Sequence, residues 1–185
     1  PNYKFYKRAG EANKKKTLLH VENLPEGWYS KIDKEKHWHY CGPFGIPIPP
    51  QGWKIHISST LENTQKTLDI VSNILISRNT HFKFVMSTWD LFVKNSKYGD
   101  RSASGKFITI YPATDYLFYT LLDELNEALS GLENGAYILN DNRWFFGNVY
   151  FRYGGFLEMH KNFGLHSVND DVIFNYCFYF PLLNQ

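Results

Sequence analysis

An α+β domain, a twisted central sheet flanked by helices, is the fold this sequence predicts. Short stretches that alternate in polarity are separated by amphipathic helical stretches, and the apolar content is enough for one core. Of 185 residues, 43% are hydrophobic, which matches a single domain of ordinary size. Rings dominate that content, with 15 Phe, 13 Tyr and 5 Trp, while the mean hydropathy stays at -0.40. Such a chain packs large aromatic side chains rather than remaining disordered.

The elements follow in order. Pro1 to Lys16, with its Lys14-Lys15-Lys16 run, reads as a solvated arm, so residues 1–23 are taken as a basic N-terminal arm or the start of the domain and 24–185 as the domain proper. From Leu24 to Pro50 the chain is rich in Gly, Pro and aromatics and reads as a long extended loop. Trp53 to Ser58 alternates, which sends Trp53, Ile55 and Ile57 to one face of a strand and Lys54, His56 and Ser58 to the other. Leu61, Thr64, Leu68, Val71 and Leu75 then recur at three and four, the stripe of a helix ending near Ser77.

His81 to Met86 is a second strand, with Lys83 opposite Phe82 and Phe84, and Ser87 is the expected N-cap of a short helix through Val93. A polar loop from Asn95 to Gly105 leads into a third strand, Lys106 to Tyr111, stopped by Pro112. Alternation there groups Lys106 with Ile108 and Ile110, and Phe107 with Thr109 and Tyr111. Thr114 or Asp115 caps a helix through Leu117, Leu121, Leu125 and Leu129, which Gly131 or Gly135 ends. Ala136 to Leu139 and Asn148 to Tyr153 read as a pair of strands around an Asp141-Asn142-Arg143 turn, and Val172 to Phe180 as a last apolar strand.

Charge is nearly balanced, 20 Lys and Arg against 18 Asp and Glu, so bulk charge points to neither a nucleic acid nor a membrane. Cations interleaved with rings also suit single-stranded nucleic acid, but near-neutrality and the lack of an RNP-type aromatic pair argue against it. Cys41 and Cys177 stand far apart with no Cys-x-x-Cys pattern, so neither a disulfide framework nor a zinc signature is legible, and cytoplasm is the expected compartment. His37-Trp38-His39 places two imidazoles on one strand face without a third ligand nearby, which fits a loop or surface pair better than a metal site. No stretch has the length of a membrane span or the form of a signal peptide. The chain starts at Pro1 rather than Met, so an excised fragment of a larger protein is expected.

The strands carry the chemistry. Lys54 and His56, then Lys83, then Lys106, and finally Arg152 in Phe151-Arg152-Tyr153-Gly154 place cations on successive strands with too few acids to pair them. Lysine and arginine are rarely buried unpaired, so an anion from outside, such as a phosphate, is the natural partner. A single such cation is ordinarily an exposed strand residue, and a lone His a hydrogen-bonded structural one; it is their recurrence that points to a site.

Gly52-Trp53-Lys54-Ile55-His56, Phe82-Lys83, Arg101 with Gly105-Lys106-Phe107-Ile108-Thr109-Ile110-Tyr111-Pro112, and Phe151-Arg152-Tyr153-Gly154 together resemble the N-terminal lyase domain of class III and class IV lanthipeptide synthetases. The resemblance spans about Leu24 to Phe156. That domain is similar in turn to the phosphothreonine lyases that bacterial pathogens inject into host cells. It implies a phosphothreonine lyase-like fold and elimination of phosphate from phosphoserine or phosphothreonine of a precursor peptide, leaving dehydroalanine or dehydrobutyrine. A kinase and a cyclase domain of the same polypeptide are the implied partners, and neither Gly-x-Gly-x-x-Gly nor His-Arg-Asp occurs in this chain.

Elimination asks for a base, an acid and an anion clamp. Lys83, boxed between phenylalanines and near other cations, is the expected base, since burial and like charges disfavour the ammonium. His56, with an unperturbed pKa of about 6.5, is the expected acid for the leaving oxygen, and Lys54 shares the phosphate. Arg101 and Arg152 are the expected guanidinium clamps, with Arg143 a weaker one that equally fits a surface pair with Asp141. By resemblance Lys106 lies in or near the pocket. Tyr111 lies ten residues after Arg101, a separation that resembles the one between an arginine and a tyrosine of the pathogen lyases, and the resemblance implies that it supports the base, against the alternative of a strand-end core ring. No metal and no organic cofactor are expected. The competing class is a non-catalytic phosphopeptide-binding module, which has use for arginines but not for a lysine boxed by rings or an acid beside the phosphate.

Overall fold

The computed structural model describes residues 3–14, 16–96 and 101–156, with the side chains of residues 3–6 and 12 left aside; the apolar stretch Val172 to Phe180 lies outside the described residues. In chain order the elements are α1 (Tyr3–Lys14), β1 (Trp28–Ile32), β2 (Trp38–Pro43), β3 (Gln51–Ile57), α2 (Thr64–Ser77), β4 (His81–Val85), α3 (Thr88–Asn95), β5 (Ile108–Tyr111), α4 (Asp115–Leu129), β6 (Asn142–Arg143) and β7 (Val149–Gly155). The strands form one antiparallel sheet of seven, ordered β1-β2-β4-β5-β3-β7-β6. The α+β class read from the sequence is the one observed.

The pleat divides the sheet into two unlike faces. On one, Ile55, Ile57, Phe82, Phe84, Ile108, Ile110 and Val149 join Leu68, Val71 and Leu75 of α2 and Phe118, Leu121, Leu122 and Leu125 of α4 in the buried core. Helix initiation follows the sequence: Ser87 accepts from the Asp90 amide and Thr114 from the Leu117 amide. Ring packing extends the core to the β7 side, where Trp53 stacks on Phe118 at 5.1 Å.

Four local expectations are overturned. The segment read as a long loop contains the β1–β2 hairpin, because Asp33 accepts from the His37 and Trp38 amides and closes the turn through Lys36 at φ 58. The segment read as a solvated arm forms α1, which packs against α3. Ala136 to Leu139 is not a strand; the expected turn residues Asn142 and Arg143 pair with β7 instead, and the chain reverses after them at Phe145, φ 51. Finally, alternation fails at the start of β5. Gly105 takes φ +80, Phe107 joins the core beside Ile108, and Lys106 falls on the opposite side from the one expected.

The second face faces the strap of residues 44–50. Ile46 accepts from His81 Nε2 at 2.9 Å, which leaves His81 Nδ1 as the acceptor for the Tyr29 hydroxyl at 2.8 Å. A Cβ at Gly42 would stand 2.1 Å from that ring nitrogen, so glycine is required by the close approach.

Candidate functional site

Strand register assembles the site. Directly paired residues share a face, and the pairings Lys31↔Tyr40, Tyr40↔Lys83, Lys83↔Thr109, Thr109↔His56, His56↔Tyr150 and Tyr150↔Arg143 form one row across all seven strands. Lys83 and His56 are therefore neighbours but one, on the face away from the core helices. A second row places Lys54 opposite Arg152 and Tyr111 opposite His81. Two cations directly opposed across an antiparallel pair repel each other.

Asp141 is the residue that sequence reasoning missed. Its carboxylate is buried, with Oδ2 accepting from His56 Nδ1. Oδ1 lies 3.7 Å from Lys106 Nζ and 3.9 Å from Arg152 Nε, within ion-pair reach but making a hydrogen bond to neither. The loop carrying it is held from below by Asn148, whose side chain accepts from the Gly135 amide and from Ser58 Oγ and donates to the Glu133 carbonyl. Composition around Asn140-Asp141-Asn142 signals a turn, and nothing local distinguishes an exposed turn acid from a buried one.

Burial dominates the electrostatics. It pushes His56 down to about 4, against the opposing hydrogen bond and charge of Asp141, with Lys106 and Arg152 adding to the depression. Burial would raise the Asp141 carboxyl, but the His56 hydrogen bond and charge, then Lys106 and Arg152, hold it below its ordinary value. Lys106 is lowered by burial first, with Arg152 and Lys83 reinforcing and Asp141 opposing. Near neutral pH the pair is thus a neutral imidazole donating Nδ1–H to a carboxylate, which leaves Nε2 as the nitrogen able to exchange a proton.

This pair predicts an acid-sensitive fold. Unfolded His56 binds its proton near 6.5 and folded His56 near 4, so the unfolded state holds more protons in that window and stability falls as pH drops through it. The lowered Asp141 acts in the same direction further down. Urea titrations between pH 7 and 4 should show a loss of up to about 3 kcal/mol from this site, flattened in His56→Gln.

The other expected residues divide. Lys83 is buried at 4% exposure, its Nζ 4.3 Å from the Trp38 ring centroid and 5.4 Å from that of Tyr40. Lys54 Nζ lies 5.9 Å from the Tyr111 ring and 5.7 Å from the Phe156 ring, the Tyr111 and Phe156 rings meet edge to face at 5.1 Å, and Tyr40 stands beside Lys83. Lys106 also donates to the Ser102 carbonyl at 2.7 Å. Arg101 is exposed in the turn that carries Ser102. Arg143 ends the long row, stacked near Tyr137 and Tyr150 with its Nε donating to Gly147 O, rather than paired with Asp141 as the alternative reading had it.

His37 and His39 are engaged separately, with Asp90 and with Ser30. Among the described residues no group of three or more His, Cys, Asp or Glu is placed to hold a metal ion, and no helix is long and apolar enough to cross a membrane. Chemically the face offers an amine, an imidazole with an acid behind it, and flanking cations.

The family model described as RamC, N-terminal domain, matches residues 17–169. The probable SapB synthase of Streptomyces coelicolor is 44% identical over 133 residues, which cover 72% of this chain but only 14% of that protein, so the chain spans about a seventh of that relative's length. Among solved structures, the Chromobacterium violaceum VirA (SpvC) phosphothreonine lyase effector protein superposes with a TM-score of 0.54 at 18% identity, covering 74% of this chain and 68% of the other. The type III effector/phosphothreonine lyase OspF from Shigella flexneri gives 0.54 at 18% identity, covering 84% and 88%. The Salmonella plasmid virulence C protein gives 0.52 at 14% identity, covering 83% and 84%. At these identities the three structures establish a shared fold.

Proposed function

The chain belongs to the family of the RamC N-terminal domain, and from that premise we propose that it eliminates phosphate from phosphoserine or phosphothreonine of a lanthipeptide precursor. The observation that carries this reading is the row Lys83–Thr109–His56. It sets an amine and an imidazole on one face, two strand spacings or roughly 10 Å apart along the sheet, with Lys54, Lys106 and Arg152 beside them. The substrate's phosphate lies among these cations, and its α-carbon faces Lys83. A kinase and a cyclase in the rest of the polypeptide complete the modification.

In the reaction, uncharged Lys83 takes the α-proton, the C–H electron pair becomes the new C=C bond, and the β-carbon to oxygen bond breaks toward phosphate. His56 Nε2 gives a proton to the departing oxygen, and Asp141 holds the ring through Nδ1 and stabilises the charged imidazole before transfer. Lys54, Lys106, Arg152 and Arg101 bind the phosphate, with Arg143 at the margin. Tyr111 supports the base Lys83. No redox step occurs, and atoms balance as dehydroamino acid plus phosphate.

Because His56 is neutral in the free site, its catalytic proton must arrive with the anion. A bound dianion favours imidazolium, and a phosphate monoester itself holds a second proton only below about pH 6. Binding of a phosphopeptide at pH 7 should therefore take up about one proton, read by calorimetry in buffers of different ionisation enthalpy, and His56→Gln should remove the uptake. The direct test is incubation with a phosphorylated precursor peptide followed by mass spectrometry. A dehydrated product supports the lyase; peptide that binds yet returns with phosphate intact makes the chain a binding module.

A further inference from the structure

Lys94 has no place in the reaction just described, yet it meets the same ring as the base. Its Nζ lies 4.3 Å from the Trp38 ring centroid, as does Lys83 Nζ. The two ammonium nitrogens are therefore no further apart than twice that distance. A tryptophan face attracts a cation, and here one ring serves two, with the indole rather than bulk water filling part of the space around them.

The two lysines are not equivalent. Lys94 sits in the last turn of α3, where the C-terminal end of a helix favours a cation, and it is half-buried. Lys83 is almost fully enclosed in the sheet, where the charged form is disfavoured. Mutual repulsion is relieved at the more enclosed amine. We infer that Lys94 is a positioning residue for Lys83, acting across Trp38 to hold the base in the uncharged form that removes the substrate's α-proton, an inference that rests on the lyase reading above.

Other groups stand near Lys83 as well. From β2 come Trp38 and Tyr40, and from β5 Thr109. Lys106 also opposes a second positive charge there. On its own strand His81 is tied to Tyr29 and Ile46. On α3, Asp90 stands one turn before Lys94 and is engaged by Ser87 and His37. The placement of Lys94 is set locally, since α3 follows β4 directly, is capped by Ser87, and buries Leu91 in the core.

The test compares Lys94→Gln and Lys94→Arg with the unmodified chain. In protein carrying isotope-labelled lysine, the Lys83 side-chain signal is titrated by NMR. Lys94→Gln should move its midpoint up by about one pH unit, and Lys94→Arg should restore it. The acidic limb of the phosphate-release profile should move by the same amount with KM unchanged. An unmoved Lys83 midpoint overturns the inference, as does a rise in KM with an unmoved profile, which would make Lys94 a substrate contact. If the chain releases no phosphate while the Lys83 midpoint still shifts, the lyase reading falls and the coupling between the two lysines stands.

Discussion

Lys83→Ala should lower the rate of phosphate elimination by about a thousandfold to ten-thousandfold, the upper part of the range for losing a general base. The comparison that makes this diagnostic is Lys83→Arg. A guanidinium keeps much of the reach but stays charged and does not give up its proton in this pH range, so the arginine variant should bind phosphopeptide and still fail to turn it over. Product formation followed by mass spectrometry reads the loss, and circular dichroism with urea unfolding reads the fold. Activity retained in Lys83→Arg would remove Lys83 as the base, whatever the alanine variant shows.

The second large effect is expected at Asp141, for a reason that is structural before it is catalytic. This carboxylate is the buried counter-charge facing His56, Lys106 and Arg152. Asp141→Ala leaves those groups without it, and breaking a buried charge cluster from one side costs about 3–5 kcal/mol. Asp141→Asn preserves shape and a hydrogen-bonding oxygen but removes the charge, so a smaller loss is expected together with a rate reduced by about a hundredfold or more, since a cationic His56 is no longer stabilised. Inorganic phosphate provides a control. It should raise the unfolding temperature of Asp141→Asn more than that of the unmodified chain, because the bound anion supplies the missing counter-charge. An equal rise in both would show that Asp141 and the anion do not face the same cations.

Local patterns carried most of the frame. Alternation in Trp53 to Ser58 and His81 to Met86, the three-and-four spacing from Leu61 and the steps of four from Leu117 are short-range properties, and the strands and helices they predict are present. The assignments of Lys54, His56 and Lys83 to a face opposite the core follow from the same period of two. Where a side chain's neighbours came from a distant part of the chain, the pattern fell short. Asp141 reads as a turn residue because its partners His56, Lys106 and Arg152 are 85, 35 and 11 residues away. Lys106 departs from the alternation of its own strand because Gly105 turns the backbone just before it.

By itself, then, the sequence determined the class of fold and which strand residues point away from the core, because periodicity and composition act over a few residues. Tertiary structure alone decided that β4 and β3 flank β5, so that Lys83 and His56 stand in one row, that the Asp141 carboxylate is buried behind the imidazole, and that Trp38 joins two lysines. Strand order and the burial of Asp141 are set by the free energy of the whole packed arrangement, and no window of neighbouring residues contains it.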